Sequence, residues 1–168
     1  MLFKLFSQLD KQFSFDRVSA HCDVPCGIYD PSTAQIAALT VIRCVDQLSE
    51  IDTKASMSLN DHANFGRMVA VKEEHAVKVK EEIRIIWGDF IKQPQLDQYP
   101  QLHGLVHDVM LAGSAAKQHV DRDAALKLLD KVNEFAEIFW TIKGVKTYRA
   151  ICPYAPAVEV VYPDLKND

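Results

Sequence analysis

The sequence predicts an all-α protein: an antiparallel four-helix bundle over residues 31–144, with a short turned hook before it and an extended tail after it. Three observations carry that prediction. Apolar residues recur at steps of three and four through most of the body, the spacing that gives a helix one buried stripe. No part of that body alternates apolar and polar residues as a half-buried strand would. Start and stop residues divide the pattern into four segments with shortish connections, as antiparallel neighbours require.

The elements follow in order. Asp30-Pro31 is a cap followed by proline at the first helical position. Ala34, Ala38, Val41, Val45 and Leu48 then mark the first stripe. Ser49 to Asn60 is polar, with Met57 and Leu59 scattered in it, and is expected to be a connection. The second stripe runs Phe65, Val69, Ala76, Val79, Ile83, Ile86 and Phe90 and passes over Lys72. Lys72 joins Glu73, Glu74, Lys78, Lys80, Glu81 and Glu82 on what should be a solvated face with i,i+4 ion pairs. Pro94 closes the segment.

A third helix is expected near Tyr99-Pro100, with Leu102, Leu105, Val109, Gly113 and Ala116 inward. Asp121 or Asp123 caps the fourth, whose stripe is Ala125, Leu128, Val132, Phe135 and Phe139, and Gly144 stops it. The tail, 145–168, spaces Pro153, Pro156 and Pro163 around Val158, Val160 and Val161. It is expected to be extended and to lie on the surface or against a neighbouring subunit.

Composition excludes several functions. The chain has 168 residues, 19 basic against 23 acidic, and a net charge of −4. That acidity lacks the basic face a nucleic-acid binder needs. No apolar run reaches membrane-spanning length, and no basic amphipathic stripe suits a membrane surface. Neither GxxxxGK[ST] nor GxGxxG is present. Residues 1–20 stand apart from the domain. Asp10, Lys11, Asp16 and Arg17 interrupt any signal-peptide core, so export is not expected and the location is expected to be cytoplasmic. The segment ends in Ser19-Ala20 and is either a removable leader or an N-terminal arm; without it the chain carries −5.

Bundles that hold two irons use inward Glu-x-x-His pairs, and none exists here. His103 and His107 share a helix face but lack a third ligand or an intervening glutamate in the HExxH manner. Cys44 falls in an apolar helical pattern as a small core residue, and Cys152 receives no role. What remains is His21-Cys22-Asp23-Val24-Pro25-Cys26-Gly27-Ile28-Tyr29-Asp30-Pro31. Two thiols and an imidazole in a loop turned by Pro25 and Gly27 can converge on one soft metal ion. Spacing alone leaves a redox disulfide open, though no βαβ pattern supports a thioredoxin-like domain.

This stretch resembles the metal hook of the nickel superoxide dismutases, HCDxPCGxYDP, at every fixed position. The similarity continues through Trp87-Gly88-Asp89-Phe90 (W-x-D-aromatic), Tyr99-Pro100-Gln101-Leu102-His103 (YPxLH), Ser114-Ala115-Ala116-Lys117 and Ile138-Phe139-Trp140. It implies a four-helix-bundle subunit in a homohexamer, with one nickel ion per subunit and superoxide as substrate. It implies a precursor that a processing peptidase cuts between Ala20 and His21. The implied ligands are the His21 α-amine and ring, the Cys22 amide nitrogen and thiolate, and the Cys26 thiolate. Tyr29 is expected over the open face, with the Asp23 and Cys26 N–H groups bonding the approaching oxygen species and a cis peptide before Pro25. Many members orient the axial imidazole with a glutamate on the first helix and an arginine on the second; Ala37 and His75 stand there in this chain. A different class, a non-catalytic thiolate metal carrier or redox-sensing bundle, would use the same hook without turnover.

Overall fold

The computed structural model describes residues 27–166. Helix α1 is Ser32–Asp52, α2 is Leu59–Ile85 and continues into a π-helical turn at Ile86–Phe90, α3 is the short Gln93–Gln98, α4 is Leu102–Gln118 and α5 is Arg122–Ile142. A hairpin of β1, Thr147–Ile151, and β2, Glu159–Pro163, follows. The long helices pack in a closed ring, α1 on α2, α2 on α4, α4 on α5 and α5 on α1. This is the expected four-helix bundle, and its core holds the predicted stripes of α1, α4 and α5.

The bundle's start and stop residues work largely as read. The first helix starts one residue later than expected: Pro31 is its cap and not its first helical residue, accepting at its carbonyl from the Gln35 N–H at 3.0 Å, while the Asp30 carboxylate accepts from the Ser32 N–H at 2.7 Å. Asp121, not Asp123, caps α5, accepting from Asp123 N–H and Ala124 N–H. Gly144 ends it with φ +74°. The connection expected at 49–60 is shorter. Helix α1 runs on to Asp52, and α2 already begins at Leu59 behind a capping box in which Ser58 and Asp61 exchange hydrogen bonds. Pro94 does not close the second segment: the π-helical turn does, and Pro94 starts α3.

Two sequence expectations are corrected. Lys72 is not on the solvated face. It is 2% exposed, and its ammonium donates to the carbonyls of Ala116 (2.9 Å), Lys117 (2.5 Å) and His119 (3.0 Å). These are orphan acceptors at the end of α4, where the helix dipole also favours a cation. Phe65, assigned to the stripe, is instead 41% exposed, because the first turns of α2 overhang the bundle.

The tail is extended, but as a paired hairpin with Tyr148 opposite Tyr162 and Arg149 opposite Val161. It packs on its own bundle: Cys152, Val160 and Val161 are buried there. The fold is therefore a helical bundle with one small sheet, not helix alone.

Candidate metal centre

His21, Cys22, Asp23, Pro25 and Cys26 lie outside the described residues, as does the leader 1–20. What the structure places is the end of the hook and its seat. Gly27 has φ +68°, a backbone conformation that side chains resist, so the motif's glycine is required by the turn itself. Ile28 is exposed. Tyr29 is half-buried, and Asp30 and Pro31 lock the chain into α1.

Tyr29 rests on Phe90, with ring centroids 5.6 Å apart and planes tilted by 40°. Phe90 packs in turn on Phe139 at 5.1 Å, and Phe139 on Trp140 at 5.1 Å. The π-helical turn explains why Phe90 reaches this position. The Ile91 N–H bonds the Ile86 carbonyl at 3.2 Å, five residues back, which re-aims the end of the long helix. The W-x-D-aromatic and Ile138-Phe139-Trp140 segments thus meet beneath Tyr29, through Phe90 and Phe139, which are 49 positions apart in sequence.

Sequence reasoning missed Lys143. Its ammonium sits 4.5 Å from the centroid of Phe90 and 5.8 Å from that of Phe139. One ring therefore separates a cation from Tyr29 in a chain that is acidic overall. Nothing in the local sequence marks it, since the contact crosses two helices.

The other candidates do not assemble a site. Among the described residues, no group of three or more His, Cys, Asp and Glu side chains is placed to hold a metal ion. His103 accepts at Nδ1 from the Trp87 indole N–H at 3.2 Å. His75 donates from Nδ1 to the Val71 carbonyl at 2.8 Å, one turn back on its own helix. Ala37 is core, 1% exposed. Cys44 and Cys152 are 3% and 1% exposed. Burial pushes the Cys44 thiol up, against the pull of Lys72 and Arg43, so it stays protonated. The Cys152 thiol donates to the Tyr154 carbonyl.

Comparison with known proteins converges on one family. The family model described as nickel-containing superoxide dismutase matches residues 16–143, which include the whole hook and bundle. The chain is 38% identical over 128 residues to a superoxide dismutase [Ni] of Streptomyces seoulensis, covering 76% of this chain and 91% of that protein. It is 39% identical over 127 residues to the one of Streptomyces coelicolor, covering 75% and 90%. A native nickel superoxide dismutase structure superposes with TM-score 0.66 at 35% identity, over 74% of this chain and 99% of that one. An apo structure of that enzyme gives 0.62 at 31% identity, over 70% and 98%. The matched sequence stops at 143, so the hairpin lies beyond it.

Proposed function

Since the chain belongs to the nickel-containing superoxide dismutase family, we propose that residues 21–30 become its nickel hook once the bond between Ala20 and His21 is cut. The enzyme converts two superoxide ions and two protons into oxygen and hydrogen peroxide, with nickel as cofactor. When bound, nickel supplies a one-electron couple between its divalent and trivalent states.

The donor set fits that ion. The described residues offer no rival cluster, and the two remaining cysteines are spent in the core, so the thiolates available are Cys22 and Cys26. Those thiolates and the deprotonated Cys22 amide are strong donors, the character that favours a higher oxidation state. The His21 amine is a better ligand than the peptide nitrogen it replaces. An amine of pKa about 8 gives up its proton to a metal at modest cost, whereas an amide within Ala20-His21 has neither its basicity nor its geometry.

The remaining residues prepare the substrate's approach. Gly27 turns the chain, and the hydrogen bond from the Ser32 N–H to the Asp30 carboxylate holds it where it enters α1. Tyr29, held by Phe90, is proposed to limit access to the metal face, which protects thiolates that peroxide can oxidise. The Asp23 and Cys26 N–H groups are proposed to donate to the oxygen species. Lys143 supplies local positive charge against the overall −4. Lys143→Gln is therefore expected to lower kcat/KM by roughly two- to fivefold at low ionic strength, with the difference vanishing near 1 M salt, where screening reaches ~3 Å. A salt-independent difference would assign Lys143 a packing role instead.

The same reading includes a homohexamer, a processing peptidase and a cytoplasmic location. No described helix is long and apolar enough to cross a membrane.

The observation that carries the proposal is the complete hook motif joined to a seat built from helix residues remote in sequence. Mass spectrometry of the native protein, with metal analysis and superoxide consumption, tests it. A chain starting at His21 with one nickel and full turnover is expected; the uncut chain should be inactive. An uncut chain that turns over with nickel, or a trimmed chain that turns over without it, contradicts the reading. A metal carrier would bind nickel and show no turnover.

A further inference from the structure

We propose that the C-terminal hairpin is a positioning element for the hook: through Gln35 and Asn133 it holds the first turn of α1, from which residues 21–30 depart. This rests on the nickel-hook reading above. Strand β2 is an edge strand whose outer backbone groups need partners. Those partners are two buried helix side chains, Gln35 at 5% and Asn133 at 1% exposure. The Gln35 amide donates to the Val161 carbonyl at 2.8 Å and to Asn133 Oδ1 at 3.1 Å. Asn133 Oδ1 also accepts from the Val161 N–H at 3.2 Å, while its Nδ2 donates to the Glu159 carbonyl at 3.3 Å.

The location gives this network its consequence. The Gln35 backbone N–H closes the first hydrogen bond of α1 onto Pro31, the last residue of the hook motif. Beside it, Val160, Tyr162 and Pro163 of the hairpin face Asp30 and Ser32 across a small cavity. A buried amide pair that makes four directional hydrogen bonds is confined to a narrow set of arrangements. It therefore pins the turn at which the ligand loop leaves the bundle. The strand it grips lies beyond the stretch matched to the family, while Gln35 and Asn133 lie within it.

Nickel affinity of the trimmed, full-tailed protein, measured by competition with a chelator, tests the inference. Asn133→Leu, and independently Gln35→Met, should weaken nickel binding about tenfold, the lower end for residues that orient metal ligands. Leu48→Ala serves as control: it removes core volume some 20 Å further along α1. It should lower the melting temperature of the metal-free protein and leave nickel affinity unchanged. Should Asn133→Leu fail to fold, Gln35→Met decides. Wild-type affinity in the folded hairpin-network variants, or equal weakening in all three, overturns the positioning role. A trimmed wild-type chain that takes up no nickel overturns the hook reading, and this inference with it.

Discussion

Cys22→Ser and Cys26→Ser are each expected to leave the trimmed protein unable to hold redox-active nickel, with superoxide decaying at its uncatalysed rate. Serine matches cysteine in shape, so the loop's course is little affected. What is lost is the donor. A thiol of pKa about 8.5 becomes a thiolate under a metal's influence, while a hydroxyl keeps its proton and offers a hard oxygen. The structure sharpens the contrast. Cys44→Ala and Cys152→Ala remove thiols that are buried in the core, so these variants should keep full nickel content and turnover and lose only stability. Metal content and activity measured across the four variants check this. Normal nickel in either hook variant, or nickel lost from either core variant, would assign the ligands elsewhere.

Lys72→Met is expected to destabilise the fold by about 2–3 kcal/mol, or roughly 5–10 °C in melting temperature. Methionine fills nearly the same volume, so the packing term is small. The loss lies in three carbonyls at the end of α4 that share one ammonium. Hydrogen bonds to a charged group are worth more than neutral ones, and acceptors left buried without a partner carry a further cost. Burial itself pushes the Lys72 pKa below its ordinary range, opposed by the nearby Glu73 carboxylate. Thermal unfolding followed by circular dichroism checks the figure. A shift below 2 °C would mean that water replaces the ammonium at those carbonyls.

Lys72 also shows where sequence reading stops. A lysine among Glu73, Glu74 and Lys78 has the local signature of a solvated face. Its burial depends on α4 ending opposite it, 44 residues later. Lys143 is the same case in reverse, since its value comes from Phe90 on another helix. The hairpin was legible only as an extended tail, because pairing Tyr148 with Tyr162 is a long-range register that three prolines obscure. Helix ends shifted by a few residues for a related reason: capping and a π-helical turn are decided by hydrogen bonds that apolar spacing does not report.

By itself the sequence determined the four helical segments and most of their buried stripes, and it supplied the motif proposed as the nickel hook. Each of these is a local property: helical periodicity repeats within seven residues, and the proposed ligands span only six positions, 21–26. Tertiary structure alone decided what lies against what. It set Tyr29 on Phe90, buried Lys72 beneath the end of α4, brought Lys143 near the hook's exit and tied β2 to α1 through Gln35 and Asn133. Those contacts join residues from 26 to 126 positions apart, and only the packing of finished helices fixes which distant side chains become neighbours.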